Sequence, residues 1–143
     1  ETHKQPAPPP LICVNTTCDE SAEKAEALAR EYIGYVYAMT LDHYELATDR
    51  FKGMKGYEEY AGNAAMMASI SASEAANAFA DVNFWGTPQQ ILDKIDKARG
   101  SIGDFDLAIQ TIFGGMPLDQ AESSQRLFAE KVLPELKSWK QAA

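Results

Sequence analysis

The feature that constrains this chain most is the stretch from Phe79 to Trp139, which reads as strand, helix, strand, helix. The apolar run FADVNFW (Phe79 to Trp85) predicts one strand, and FDLAIQTIF (Phe105 to Phe113) predicts another. Two strands joined by a helix of this length must run parallel, and the crossover is expected to be right-handed. The chain is therefore predicted to be an α/β protein.

Both helices of this stretch carry recognisable signals. Thr87 and Gln90 have the spacing of a capping box, and Pro88 occupies the first helical position, where a missing N–H costs nothing. The stretch from Gln120 to Trp139 is amphipathic, and Pro134 lies inside it. We therefore expect a kink or a new helical turn at Pro134.

A third βα unit precedes this stretch. LICVN (Leu11 to Asn15) has the unbroken apolar character of a buried strand. Thr17 and Glu20 have capping-box spacing, which predicts a helix that starts there and continues to about Tyr37. Three strands in parallel units make an incomplete sheet, because parallel sheets are normally covered on both faces and do not leave their edges open. The chain therefore either pairs with another chain or is one part of a larger fold.

The segments between these units differ in composition. Residues 1–10 are rich in proline and are predicted to be an extended leader or linker, which leaves 11–143 as the domain. The region from Met39 to Ala78 has an aromatic-rich start, followed from Phe51 by a segment rich in Gly, Ala, Ser and Met. We interpret the region as a helical, mobile, lid-like insertion. Within it, Asp49 to Ala78 is expected to be among the least protected segments.

Four side chains of this insertion are candidates for function. His43 lies in its aromatic-rich start, and a single histidine is more often a packed residue than a general base. Arg50, Lys52 and Lys55 form a small basic cluster in an acidic chain. The cluster is either a solvated loop or a set of lid cations that meet an anionic group on closure.

The bulk composition excludes several classes of protein. The formal net charge of the 143 residues is −8, without a concentrated basic face, which argues against nucleic acid and anionic membranes as partners. No apolar run approaches the roughly 20 residues that span a bilayer, and nothing at the start resembles a signal peptide. Cys13 and Cys18 are predicted to be buried free thiols rather than a disulfide or a metal site. A cytoplasmic location is expected.

Two segments together resemble a known family. FWGTPQQILDKI and FDLAIQTIFGGMPLDQAESSQRLFAEKVLPEL resemble the C-terminal end of luciferase-like monooxygenases. The shared features are a Gly-Thr-Pro turn into a helix, a Gly-Gly turn after the last strand, and a closing helix: Gly86-Thr87-Pro88, Gly114-Gly115, and Phe128, Glu130, Val132, Pro134 and Leu136. The resemblance extends from about Leu11 onward.

The resemblance implies a specific architecture. Luciferase-like monooxygenases are TIM barrels, which have eight strands and usually about 250 residues. This chain would then hold the last three βα units of a (β/α)8 barrel, with a lid-like insertion. A missing N-terminal part of the barrel, or a second chain, is the expected partner.

Active-site groups of TIM barrels lie at the carboxyl ends of the strands. The residues predicted there, as one wall of a flavin and substrate pocket, are Asn15, Thr16, Trp85, Gln110, Phe113 and Gly114. For each residue a packing, turn or capping role is the alternative. The resemblance implies FMN or a deazaflavin as cofactor, a small-molecule substrate and a flavin reductase as partner. It identifies no catalytic residue and no metal site.

The resemblance therefore implies a flavin-dependent monooxygenase or related oxidoreductase. The isolated 143-residue chain is expected to be inactive and not to bind flavin tightly, because the family's phosphate-binding groups lie mostly on earlier strands. The alternative is a non-catalytic α/β interaction module that forms a homodimer through its open sheet edges.

Overall fold

A computed structural model describes residues 8–67 and 69–139, so most of the predicted leader lies outside the described residues. The two strands are β1 (Leu11–Asn15) and β2 (Asp106–Gln110). The helices are α1 (Ala22–Leu28), α2 (Gly34–His43), α3 (Glu58–Met67), α4 (Ala72–Asp81), α5 (Pro88–Ile102), α6 (Leu118–Leu127) and α7 (Leu133–Ser138). Ala29–Ile33 and Phe128–Val132 are π-helical turns that join consecutive helices, and Asp49–Phe51 is a 3-10 turn.

The two strands form one parallel sheet, with Leu11 opposite Asp106 and Asn15 opposite Gln110. This confirms the α/β class and two of the predicted strands, although the second is shorter than expected. One face of the sheet packs on a core whose helical members come from α5 and the second π-helical turn. The members of this core are Val14, Cys18, Phe84, Ile91, Leu92, Ile95, Phe128 and Val132, with Ile12, Leu107 and Ile109 packed against it.

The predicted strand from Phe79 to Trp85 is wrong. Its first three residues complete helix α4, and the following residues form an irregular connector that makes a single parallel bridge, between Gly86 and Cys18. The helix extends this far because Ser71 and Glu74 form a capping box at its start and the sequence between is rich in alanine. The sheet therefore has two strands rather than three within the described residues.

The capping box predicted between Thr87 and Gln90 is confirmed, and Pro88 lies at the start of α5. The box predicted between Thr17 and Glu20 is wrong. Helix α1 is capped instead by Ser21, whose side chain accepts a hydrogen bond from the backbone N–H of Lys24 at 3.3 Å.

The C-terminal helix changes conformation where proline was expected to disturb it. The π-helical turn ends at Val132, and Pro134 lies in the first turn of α7, where its missing N–H is tolerated. The π-helical turn contributes two buried side chains, Phe128 and Val132, to the core described above.

The lid-like insertion is helical, as predicted. Helix α4 packs against α2 and the preceding π-helical turn, with Ala75 and Ala80 buried. An ideal Cβ at Gly34 would lie 3.5 Å from the Cβ of Ala76, so the two helices approach closely. In the described ranges no helix combines the length and hydropathy that crossing a bilayer requires.

Candidate functional site

The carboxyl ends of the two strands bring two predicted residues together. Asn15 and Gln110 are register partners, and the backbone N–H of Thr16 donates to the carbonyl of Gln110 at 2.9 Å. The side chain of Gln110 is exposed, and its Nε2 donates to the carbonyl of Ile112 at 3.3 Å. Two carboxamides therefore lie at the same end of the sheet, as the sequence predicted.

Asn83 is part of this arrangement and was missed by sequence reasoning. Its Oδ1 accepts a hydrogen bond from the backbone N–H of Asn15 at 2.7 Å, and its Nδ2 donates to the carbonyl of Phe79 at 2.7 Å. The residue is only 5% exposed. A polar residue inside the apolar run FADVNFW was the available signal, since a buried amide needs hydrogen-bond partners.

Thr16 is fully buried behind this edge, and its Oγ1 has no hydrogen-bond partner among residues 8–67 and 69–139. The neighbouring Thr17 is equally buried, but its Oγ1 donates to the carbonyl of Ala25 at 3.2 Å. The backbone N–H of Cys18 donates to Oγ of Ser124 at 2.8 Å. The segment after β1 is thus held by a backbone carbonyl of α1 and a side chain of α6.

Trp85 lies among cations. The Nζ of Lys94 is 3.8 Å from the centroid of the indole, and the Cζ of Arg30 is 5.2 Å from it. The indole N–H donates to the carbonyl of Ala80 at 2.7 Å. Trp85 also packs against the core cluster that contains Phe113, so the structure gives the indole a packing role.

Lys94 also holds the connector that replaces the predicted strand. Its Nζ donates to the carbonyl of Trp85 at 3.0 Å and to that of Asn83 at 3.4 Å. Burial lowers the pKa of Lys94, while the nearby carboxylate of Asp81 acts in the opposite direction. Sequence reasoning missed this lysine, because no local pattern indicates a lysine that binds backbone carbonyls.

The turn after β2 contains the last two predicted pocket residues. Phe113 is 5% exposed and packs in a second core cluster with Tyr32 and Met116. Gly114 is exposed, and an ideal Cβ there would lie 3.9 Å from Cε1 of Tyr35. Phe113 therefore supports this turn from inside, while Gly114 presents backbone at the surface.

The predicted lid residues lie in a different place. His43 and Arg50 line a cleft with four aromatic residues, and the lining includes none of the six predicted strand-end residues. Arg50 pairs with Glu45 at 3.0 Å, and Lys52 pairs with Asp49 at 3.4 Å. Lys55 is exposed and outside the lining.

The two cysteines are free thiols, as predicted, but only one of them is buried. Cys13 is exposed, whereas Cys18 is 2% exposed. Burial raises the pKa of the Cys18 thiol to about 12, and the negative charges of Glu20 and Asp19 act in the same direction. No cluster of His, Cys, Asp or Glu within the described ranges has an arrangement that could hold a metal ion.

The described residues thus define a mixed α/β protein with a two-stranded parallel sheet, whose amide side chains gather at the carboxyl ends of the strands. No family model matches the chain, and no curated protein matches it. Among solved structures it is similar to monooxygenase RslO1 from Streptomyces bottropensis, with 26% identity and a TM-score of 0.49. The similarity covers 88% of this chain but only 30% of RslO1, so this chain spans less than a third of that protein.

Proposed function

We propose that this chain is part of a luciferase-like, flavin-dependent monooxygenase and forms one wall of its flavin and substrate pocket. The proposal combines the family resemblance of the sequence with one structural observation: the sheet is covered on one face and open on the other. The open face and the open edges are what a TIM barrel would fill with its remaining strands.

Successive side chains along each strand lie on opposite faces of the sheet. Ile12 and Val14 on β1 and Leu107 and Ile109 on β2 belong to the helix-covered face. The intervening residues lie on the opposite face, where Leu11 is 64% exposed. Cys13, Asp106 and Gln110 on that face are exposed as well. An uncovered parallel sheet face is unusual in a complete domain, which supports a missing layer.

The hydrogen-bond pattern shows which backbone groups of the two strands lack a strand neighbour among the described residues. The N–H of Asp106 donates to the carbonyl of Pro10, and the N–H of Thr16 donates to that of Gln110. In a parallel pair, alternate residues point toward the partner strand, so the backbone groups of Leu107 and Ile109 point outward from β2. Unpaired groups of this kind are a template for a further strand.

In the proposed pocket, Asn15 and Gln110 offer hydrogen bonds to the edge of a flavin or substrate ring, and the backbone at Gly114 forms the adjoining turn. Thr16 and Phe113 support this surface from the interior, and Trp85 supports it through Lys94. FMN or a deazaflavin fits this donor and acceptor set. A bound reduced flavin supplies the electrons for oxygen chemistry, and these residues orient the ring and the substrate.

Titration calorimetry tests this proposal. FMN titrated into the 143-residue chain is expected to give no micromolar binding, because the phosphate contacts are assigned to strands outside this chain. A protein that joins this chain to the missing N-terminal barrel strands is expected to bind FMN. In that protein Gln110→Ala should weaken binding about tenfold, whereas Gln125→Ala, an exposed glutamine on α6, should not. Micromolar binding by the chain alone would show that the pocket is misplaced.

The open edges equally favour a second candidate, a non-catalytic module that forms homodimers through β2. Light scattering combined with size-exclusion chromatography distinguishes the two. A monomer of 15.7 kDa at high concentration would exclude the dimer. A stable dimer that does not gain flavin affinity when the N-terminal strands are supplied would favour it.

A further inference from the structure

A cleft with a volume of about 660 Å³ lies between the end of α2 and the turn that precedes α3. It is the cleft lined by His43 and Arg50, and its aromatic residues are Tyr44, Phe51, Tyr57 and Tyr60. None of the residues assigned above to the flavin pocket lines it. Its chemistry therefore needs a separate explanation.

Three of the rings form one wall. Phe51 and Tyr57 are stacked, with centroids 5.2 Å apart and planes inclined by 11°. Tyr60 contacts both, at 5.4 Å from Phe51 and 5.7 Å from Tyr57. Both tyrosines nevertheless remain exposed, at 42% and 50%. Rings in mutual contact that keep much of their area in solvent offer a ready stacking surface for another planar group.

The guanidinium of Arg50 lies beside these three rings. The Cζ of Arg50 is 5.9 Å from the centroid of Phe51. Its ion pair with Glu45 leaves both side chains 53% exposed, and an exposed pair of this kind contributes little free energy. Arg50 can therefore exchange the carboxylate of Glu45 for an acidic oxygen of a ligand at small cost. A guanidinium binds such a group through two parallel hydrogen bonds.

We propose that this cleft binds a planar aromatic molecule that carries an acidic oxygen, such as an aromatic carboxylate. The aromatic wall formed by Phe51, Tyr57 and Tyr60 stacks on the ring system. Arg50 pairs with the acidic group, and His43 lies within the same cleft to donate a further hydrogen bond. The proposal goes beyond the flavin pocket and does not depend on it, because every group involved belongs to the described part of this chain.

Calorimetric titration of the 143-residue chain with three probes tests the two components of recognition. 2-Naphthoate carries both the rings and the charge, naphthalene-2-carboxamide has the same rings without charge, and cyclohexanecarboxylate has the charge without aromatic rings. 2-Naphthoate is expected to bind with a Kd below about 1 mM, and the other two at least about tenfold more weakly. Because no flavin is present, this result is independent of the flavin titration.

Two pairs of variants localise the binding. Arg50→Met should reduce naphthoate affinity about tenfold and remove its advantage over the carboxamide, whereas Arg126→Met should change neither. Arg126 is a matched control, since it also forms an exposed ion pair, with Glu122. Tyr60→Leu should weaken both aromatic probes, and Tyr60→Phe, which keeps the ring, should retain binding.

Three results would overturn the proposal. The first is equal affinity for naphthoate and the carboxamide. The second is an equal loss of naphthoate affinity in Arg50→Met and Arg126→Met. The third is the absence of naphthoate binding. If the chain also self-associates and Tyr60→Leu abolishes that association, the aromatic wall is a contact between copies of the chain.

Discussion

The backbone N–H of Asn15 donates a hydrogen bond of 2.7 Å to the side chain of Asn83, which lies 68 positions further along the chain. A side-chain amide thus occupies the place that the carbonyl of a neighbouring strand would take. The Nδ2 of the same amide donates to the carbonyl of Phe79 near the end of α4. One side chain therefore joins the carboxyl end of β1 to the connector that follows α4.

Replacing this amide should destabilise the protein. Asn83→Leu is expected to lower the free energy of unfolding by about 1–3 kcal/mol, because the N–H of Asn15 loses its acceptor. Asn77→Leu, at an exposed position of α4, should change it by no more than about 0.5 kcal/mol. Urea denaturation measures both. Equal effects would show that the amide of Asn83 does not bear on stability.

The two buried threonines after β1 should respond differently to the same substitution. Thr16→Val is expected to be neutral or stabilising, because Oγ1 of Thr16 is buried without a partner among the described residues. Thr17→Val should cost about 1 kcal/mol, because it removes the hydrogen bond to Ala25. Each valine preserves the shape of the side chain, so thermal or urea unfolding of the pair isolates the hydroxyl. A larger loss at Thr16 would indicate a bound water or ligand at its Oγ1.

Gly86 is expected to resist substitution. Its φ is +140°, and an added Cβ would lie 2.7 Å from Oε1 and 2.8 Å from Cβ of Gln90, which caps α5. Gly86→Ala should therefore lower the free energy of unfolding by about 1–3 kcal/mol. Gly62, in the exposed part of α3, has nothing within 4 Å, and Gly62→Ala should stabilise by about 0.4–1 kcal/mol. Denaturation midpoints that move in the same direction for both variants would contradict this account.

The two thiols should differ in reactivity at pH 8. Cys13 is exposed and should be alkylated by iodoacetamide in the native protein. Cys18 is buried, its pKa is raised to about 12, and it should react only when the protein unfolds. Peptide mass spectrometry distinguishes the two sites. Rapid modification of Cys18 in the native state would contradict its burial.

The raised pKa of Cys18 should also make the free energy of unfolding depend on pH in the alkaline range. Above pH 9.0, the ordinary thiol pKa, the unfolded chain loses the Cys18 proton while the folded protein keeps it up to about pH 12. The contribution of Cys18 is thus present below pH 9.0 and is lost as the pH rises toward 12. Cys18→Ala should show a shallower decline in the free energy of unfolding over this range. The cavity left by Cys18→Ala would lower the free energy of unfolding at every pH by a similar amount. The slopes of the two pH profiles would therefore still differ.

Hydrogen exchange should divide the lid-like insertion into two parts. Residues 49–64 include one buried side chain, that of Ala64, and the amides of this region are expected to exchange faster than those of β2. Helix α4 should exchange more slowly, because Ala75 and Ala80 are buried against α2. Protection in α3 equal to that in β2 would refute the lid-like behaviour.

Local signals predicted the elements whose determinants lie within one helical turn. The capping box of Thr87 and Gln90 and the break near Pro134 were read correctly from neighbouring residues. The strand character of β1 and β2 followed from their apolar runs, but their direct pairing, which places Leu11 opposite Asp106, was not predicted. The helix caps, the break at the proline and the apolar runs depend on backbone geometry and on near neighbours in the chain, which a sequence displays directly.

The tertiary structure alone decided between strand and helix for Phe79 to Trp85. An apolar run suits either a buried strand or the buried end of a helix, and periodicity cannot separate them over seven positions. A hydrogen bond from Asn15 to Asn83, 68 positions away, and another from Lys94 to Trp85 hold an irregular connector there. Long-range packing also decided where the predicted lid residues lie. His43 is in the last turn of α2, and the packing of that helix places His43 and Arg50 in a cleft that none of the predicted strand-end residues lines.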